Sequence, residues 1–124
     1  MAKKRIIVVD DSEMIRNFHC YILKTAGFQV MSAVDGADAL EKIYSSEEPI
    51  DMVVTDINMP NMDGYTFIER LREDEQYEEI PIIIISTEDE LKDMERGYEA
   101  GANIYIVKPT EPEVMVENVR MLME

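Results

Sequence analysis

The fold of this chain follows from one stretch, Val53-Val54-Thr55-Asp56-Ile57-Asn58-Met59-Pro60-Asn61-Met62-Asp63-Gly64. It opens with an apolar run, interpreted as a buried strand, which ends abruptly at Asp56. Met59-Pro60 biases the backbone away from helix, and Asp63-Gly64 is a turn or helix-cap signal. A strand that ends in a carboxylate presents it where open α/β sheets keep their sites, outside the carboxyl ends of the strands. We therefore expect Asp56 to carry the chemistry.

Five short apolar runs recur along the chain, and each is followed by a stretch with helical periodicity. These runs predict strands at Arg5–Val9, Gln29–Val34, Met52–Thr55, Ile82–Ile85 and Asn103–Val107. The runs Ile6-Ile7-Val8-Val9 and Ile82-Ile83-Ile84-Ile85 are apolar on both faces, which is typical of parallel strands covered by helices on both sides. The sequence therefore predicts an α/β fold of five βα units, with a doubly wound parallel sheet and right-handed crossovers.

Small and polar residues predict where the helices begin and end. Gly27 and Gly101 stand where two helices should terminate, and Asp63 is expected to cap a third. Thr87 and Glu90 have the spacing of a capping box before the fourth helix. His19 falls inside the first helical stretch, where an ordinary helix histidine is the expected interpretation.

The composition bounds the class of protein. A chain of 124 residues, 46% hydrophobic and 31% charged, can form one core and is not of disordered type. The net charge of -15 argues against nucleic acid or an anionic membrane as a direct partner, because phosphate contacts need Lys and Arg. With one cysteine and no apolar segment of signal-peptide or membrane-span length, we predict a single cytoplasmic domain over residues 1–124.

If the sheet is parallel, four strand ends lie at one edge and bring their polar residues together. The first strand ends in Asp10-Asp11, the third in Asp56, the fourth in Ser86-Thr87 and the fifth in Lys108-Pro109. Neighbouring carboxylates repel by about 4 kcal/mol per pair at 4 Å and an effective dielectric constant near 20, so three of them stay ionised only beside a cation. Hard oxygen ligands favour Mg²⁺. The metal and Lys108 would prepare one carboxylate to receive a phosphoryl group.

Four motifs follow one another along the chain. They are Val8-Val9-Asp10-Asp11-Ser12, the stretch from Asp56 to Gly64, Ile85-Ser86-Thr87-Glu88, and Ala100-Gly101-Ala102 leading to Tyr105-Ile106-Val107-Lys108-Pro109. In this order and spacing they resemble the receiver domains of two-component response regulators, most closely the stand-alone chemotaxis regulators. The resemblance covers all 124 residues. It implies a flavodoxin-like fold with strand order 2-1-3-4-5.

The same resemblance implies the chemistry of the site. Asp56 would accept phosphate from a phosphohistidine of a sensor histidine kinase, and Lys108 would pair with that phosphate, its bond to Pro109 being cis. Mg²⁺ would bind directly to Asp11, Asp56 and the backbone carbonyl of Asn58, and to Asp10 mainly through water. The domain would catalyse only its own phosphorylation and dephosphorylation, and would not be an enzyme acting on other substrates.

The resemblance also implies a conformational switch. Ser86 would move to hydrogen-bond the phosphoryl group, and Tyr105 would follow it inward and remodel the face built from the fourth helix, fifth strand and fifth helix. Asn58 and Glu88 hold positions that tune the rate at which the phosphoryl group hydrolyses. The target would be a protein that recognises the phosphorylated form, the flagellar motor switch or another.

Some residues depart from the family pattern and leave the partner open. Thr87 stands where Ala is usual, Thr110 where Phe is common, and the fourth-helix surface from Glu88 to Glu99 is unusually acidic. A phosphorelay intermediate and a receiver domain excised from a larger regulator stay as alternatives. Two enzyme classes fit less well. An aspartyl-phosphatase would need an Asp in place of Asn58, and the acidic segment after the first strand would repel a flavin phosphate.

Overall fold

The computed structural model describes residues 3–123 and contains five βα units in strict alternation. The strands are β1 (Arg5–Val9), β2 (Gln29–Ala33), β3 (Met52–Thr55), β4 (Ile82–Ser86) and β5 (Ile104–Val107). The helices are α1 (Glu13–Thr25), α2 (Gly36–Ser45), α3 (Gly64–Arg72), α4 (Leu91–Ala100) and α5 (Pro112–Met123), with a short 3₁₀ helix at Glu75–Tyr77 after α3. Each predicted strand is confirmed to within one residue at either end.

The five strands form one parallel sheet in the order β2-β1-β3-β4-β5. This is the flavodoxin-like arrangement, and it confirms the predicted fold and strand order. The central strands β1, β3 and β4 are buried almost throughout, whereas the edge strands β2 and β5 are mostly half-buried. Strands that are covered on both faces carry continuous apolar runs, which explains why the sequence located them so closely.

Two apolar cores lie on opposite faces of the sheet because successive strand residues point to opposite sides. On one face, Ile7, Val53 and Ile84 pack with residues of α2 and α3, including the fully buried Phe67. On the other face, alternate residues of the same strands pack against α1 and α5. Helices on both faces are what a parallel sheet requires, and they leave the strand ends free to form a site.

Most of the predicted helix boundaries are confirmed. Asp63 caps α3 by accepting a hydrogen bond of 2.8 Å from the Thr66 N–H. Gly27 and Gly101 follow the ends of α1 and α4 with φ values of 101° and 124°, which favour glycine because a side chain is strained there. The capping box of Thr87 and Glu90 is wrong: α4 begins at Leu91, and Glu90 occupies the N-cap position without a side-chain cap bond. Over residues 3–123, no helix has the length and apolar character needed to cross a membrane.

Candidate functional site

Parallel pairing places the residues that follow four strands side by side. Val9 of β1 pairs with Thr55 of β3, so Asp10 and Asp56 leave the sheet at the same level. On the far side of β4, Ser86 pairs with Val107, directly before Lys108. The predicted convergence of β1, β3, β4 and β5 at one edge of the sheet therefore occurs.

Lys108 forms the centre of the site. Its Nζ lies 2.8 Å from Asp10 Oδ2 and 3.0 Å from Asp56 Oδ2. The three side chains are 12%, 3% and 13% exposed, so these ion pairs are shielded from bulk water. An ammonium buried to this degree is stable only beside compensating charge, and here it holds two carboxylates at a fixed separation. The Lys108–Pro109 peptide is cis, as the family resemblance implied.

Three carboxylates form a cluster that could hold a metal ion. One oxygen from each of Asp10, Asp11 and Asp56 lies within 4.8 Å of the others, and Asp11 is the exposed member. This is the only group of three or more possible ligands found among the described residues. All three donors are hard oxygens, which suit Mg²⁺ or Ca²⁺ rather than a soft transition metal. A single Lys108 cannot neutralise three carboxylates, so the donor set fits a divalent cation.

Burial and direct contact shift the pKa values of Asp56 and Lys108. Burial raises the pKa of Asp56, against the opposing effect of the Ile57 N–H and of Lys108. Burial alone would lower the pKa of Lys108, but its hydrogen bonds and attraction to Asp10 and Asp56 outweigh this and raise it. The ammonium is therefore held in its charged form, and the Asp56 carboxylate is poorly solvated.

The backbone around Asp56 fixes the direction of its carboxylate. The Ile57 N–H donates to Asp56 Oδ1 at 2.7 Å, while Lys108 binds the other oxygen. The start of α3 is pressed against this loop, since the Gly64 N–H donates to the Ile57 carbonyl at 2.8 Å. A Cβ atom at Gly64 would lie 2.2 Å from the Asp56 carbonyl oxygen, so no other residue fits there without moving the loop.

The β4–α4 loop forms the opposite wall. Ser86 is fully buried, and its Oγ accepts a hydrogen bond of 3.1 Å from the Glu88 N–H. The Tyr105 hydroxyl donates to the Glu88 carbonyl at 2.8 Å, so the side chain of Tyr105 already lies against this loop. Asn58 Nδ2 donates to Glu88 Oε1 at 2.8 Å and joins the two loops that flank Asp56. The metal-binding role of the Asn58 carbonyl stays a prediction.

A cleft of about 420 Å³ leads from Asp56 along α1. Besides the acidic residues and Lys108, it is lined by Ile15, Phe18, His19, Thr87, Pro109 and Thr110. Thr87 is exposed and lines this cleft. Phe18 of α1 is 47% exposed and lines the cleft.

His19 is the cleft residue that sequence reasoning missed. It is 5% exposed, and burial followed by the charge of Lys108 lowers its pKa to about 4, so the imidazole is neutral near pH 7. The available signal was its spacing: His19 follows Ile15 by four residues, which places both on one face of α1. Histidine is buried less often than the apolar residues, so this spacing alone did not predict its burial.

Comparison with known proteins identifies the family to which this chain belongs. A family model described as "Response regulator receiver domain" matches residues 6–120. The chain belongs to the response regulator receiver family. Receiver domains of this family accept phosphate from histidine kinases and act on protein or DNA targets. The family that the sequence motifs resembled is therefore the family to which the chain belongs.

The relatives of this receiver domain are both single-domain and longer proteins. Chemotaxis protein CheY1 of Helicobacter pylori is 35% identical over 96% of this chain and 96% of its own length. The probable transcriptional regulator ycf27 of Porphyridium aerugineum is 37% identical over 99% of this chain, which spans about half (49%) of that protein. The structure of chemotaxis protein CheY4 of Vibrio cholerae has a TM-score of 0.91 with 33% identity, covering 98% of this receiver domain and 99% of that chain.

Proposed function

We propose that this receiver domain is a phosphorylation-switched regulator that accepts a phosphoryl group on Asp56 from a histidine kinase. One observation carries the proposal: the Asp56 carboxylate lines a cleft and has both oxygens held, one by Lys108 and one by the Ile57 N–H. Two further carboxylates lie beside it. Asp56 is the member of the cluster that combines partial burial, fixed orientation and access from the cleft.

In the transfer, a carboxylate oxygen of Asp56 attacks phosphorus and forms the acyl phosphate bond. The bond from phosphorus to the donor imidazole nitrogen breaks, and its electron pair leaves with the imidazole, which then takes a proton from solvent. The raised pKa of Asp56 makes its carboxylate a better nucleophile than an exposed one. Because both oxygens are held in advance, little orientation remains to be gained when the donor arrives.

Lys108 and a bound Mg²⁺ would balance the negative charge of the phosphoryl group during its transfer. Lys108 lies 3.0 Å from Asp56 and can follow the incoming phosphoryl oxygens with a small side-chain movement. Asp10, Asp11, Asp56 and the Asn58 carbonyl would hold Mg²⁺, which supplies neutralising charge to the phosphoryl oxygens when bound. The Ser86 hydroxyl would give up the Glu88 N–H and donate to the phosphoryl group. The chain would catalyse only its own phosphorylation and dephosphorylation, with Asn58 and Glu88 setting the rate of hydrolysis.

We further propose that the output is a protein contact in chemotaxis, made by the face of α4, β5 and α5 after Tyr105 responds to phosphorylation. The nearly complete mutual coverage with CheY1 supports this choice. The half-length match to ycf27 favours the alternative of a receiver domain from a larger regulator, and a phosphorelay intermediate is also compatible with the site. A cytoplasmic location, without direct contact to nucleic acid or membrane, belongs to the same proposal.

The phosphoacceptor is tested by intact mass after incubation with acetyl phosphate and Mg²⁺. We expect one added phosphoryl group, lost in Asp56→Asn and lost when EDTA replaces Mg²⁺. Asp51→Asn is a matched control, because Asp51 precedes β3 whereas Asp56 follows it. It should be phosphorylated like the wild-type chain. Phosphorylation that persists in Asp56→Asn would refute the assignment, and sustained hydrolysis of unrelated phosphomonoesters would indicate an enzyme.

The output is tested with purified candidate partners from the source organism. Phosphorylated and unphosphorylated chains are compared for binding to the flagellar motor switch protein and for phosphate transfer to a histidine phosphotransfer protein. Binding to the motor protein that strengthens at least tenfold on phosphorylation would support chemotaxis. Rapid loss of phosphate to the transfer protein without motor binding would instead support a phosphorelay.

A further inference from the structure

The helix α4 is held in place by few apolar contacts. Of its ten residues, Gly97 is the buried one, and Leu91 in the first turn is 72% exposed. Its N-cap residue, Glu90, makes no side-chain cap bond. Since most helix stability in proteins comes from burying an apolar face, the position of α4 depends heavily on individual polar contacts.

One of these contacts comes from α3. Tyr65 is 5% exposed, and its hydroxyl donates to the Asp93 carbonyl in the first turn of α4 at 3.1 Å. The guanidinium of Arg96, one turn further along α4, stacks over the Tyr65 ring at 4.3 Å from its centre. A single side chain thus binds α4 through its hydroxyl and through its ring face.

Tyr65 is directly coupled to the loop that carries Asp56. It follows Gly64, whose N–H is bonded to the Ile57 carbonyl and whose Cα has no room for a Cβ against the Asp56 carbonyl. Because the backbone of Gly64 packs this closely against Asp56 and Ile57, we expect a shift of the segment from Asp56 to Asp63 to move the first turn of α3 with it. The hydroxyl of the next residue is already attached to α4.

We propose that Tyr65 is a positioning residue that connects the Asp56 loop to α4 through the start of α3. This connection runs through β3 and α3, whereas the path through Ser86 and Tyr105 runs through β4 and β5, and both end at α4. It rests on the proposed function, since its effect is to move α4 when Asp56 is modified. Loss of the Tyr65 hydroxyl should weaken the response of α4 while leaving the groups around Asp56 intact.

The test measures amide hydrogen exchange of the segment Leu91–Ala100 with and without beryllium fluoride and Mg²⁺, used as a stable substitute for the phosphoryl group. In the wild-type chain we expect a change of exchange in α4. In Tyr65→Phe we expect that change to be at least threefold smaller, with phosphorylation by acetyl phosphate within twofold of wild type. A purely structural defect would raise α4 exchange equally in both conditions and leave the difference unchanged.

Tyr77→Phe is the matched control. Tyr77 is 4% exposed and belongs to the same apolar core, but it lies in the 3₁₀ helix after α3, away from Asp56. It should keep the full α4 response. A full response in Tyr65→Phe, or an equal loss in Tyr77→Phe, would overturn the inference and leave the proposed function standing. Absence of any response to beryllium fluoride and acetyl phosphate in the wild-type chain would overturn both.

Discussion

The Asn61 side-chain amide donates a hydrogen bond of 2.8 Å to the carboxylate of Asp35 and joins the loop after Asp56 to the N-cap residue of α2. Asn61 has a φ of 64°, a left-handed conformation that Asn tolerates better than most residues. Asp35 is buried and also caps α2 by accepting the Asp38 N–H at 2.8 Å. One carboxylate therefore positions a helix and the loop that carries the candidate metal ligands.

Replacement of Asp35 should destabilise the fold in a pH-dependent way. The Asp38 N–H and then Asn61 lower the pKa of Asp35, so its stabilising effect exists above the unfolded pKa near 3.8 and is lost as pH falls through the lower folded value. Asp35→Ala should lower the free energy of unfolding by about 2 kcal/mol at pH 7, through loss of the cap and of the Asn61 partner. Urea unfolding at pH 7 and pH 3 measures both effects. An exposed control, Asp89→Asn, should change little, and an undiminished Asp35→Ala effect at pH 3 would contradict the argument.

Thr87→Ala should speed phosphorylation by a small donor. Thr87 lines the cleft next to Asp56 and is bulkier than Ala, so its removal widens the approach without touching the carboxylates or Lys108. We expect the rate with acetyl phosphate to rise severalfold while the stoichiometry stays at one phosphoryl group. Stopped-flow or intact-mass time courses measure the rate, and Thr25→Ala at the end of α1 serves as the control. A rate equal to wild type would mean that Thr87 does not limit access.

Arg72→Lys should be strongly destabilising although the charge is kept. The Arg72 guanidinium donates to the carbonyls of Gly101 (2.7 Å) and Ile80 (2.6 Å), and so links the end of α3 to the end of α4 and the approach to β4. A lysine ammonium cannot reproduce this planar fork, and partly buried carbonyls would lose their donors. We expect a loss of about 2–4 kcal/mol in urea unfolding. Arg70→Lys, exposed on the same helix, should lose less than about 0.5 kcal/mol.

His19→Leu should reduce the sensitivity of the fold to mild acid. The pKa of His19 is about 4 in the folded chain against 6.5 when exposed, so the unfolded chain binds the proton more tightly. The free energy of unfolding of the wild type should therefore fall as pH decreases from about 6.5 to about 4. Between pH 7 and pH 5, we expect wild type to lose about 2 kcal/mol more than His19→Leu, in EDTA. Parallel losses in the two chains would show that His19 does not bind its proton weakly in the fold.

Much of the fold and of the candidate site was predictable because it depends on local patterns and one topological rule. Doubly apolar runs located the central strands. Gly101 marked a helix end through a positive φ that favours glycine, and Asp63 marked a helix start because its side chain can cap the first turn. Parallel strands present their carboxyl ends at one edge, so Asp10, Asp56 and Lys108 could be placed together before any distance was known.

Contacts between distant segments were not predictable from those patterns. The capping box at Thr87 failed because the Ser86 hydroxyl and Tyr105 both bind Glu88, which keeps the loop out of the helix until Leu91. The burial of His19 and the guanidinium network of Arg72 likewise depend on neighbours far along the chain.

The sequence by itself determined the five strands of the sheet and the set of polar groups at its edge, because hydrophobic periodicity and strand ends depend on neighbouring residues. The strand order followed from the family resemblance. The tertiary structure alone decided which of those groups touch. It paired Lys108 with Asp10 and Asp56, tied Asn61 to Asp35, and joined Tyr65 to α4. Such side-chain contacts depend on the exact position of each helix on the sheet. Packing across the whole core sets the positions of the helices.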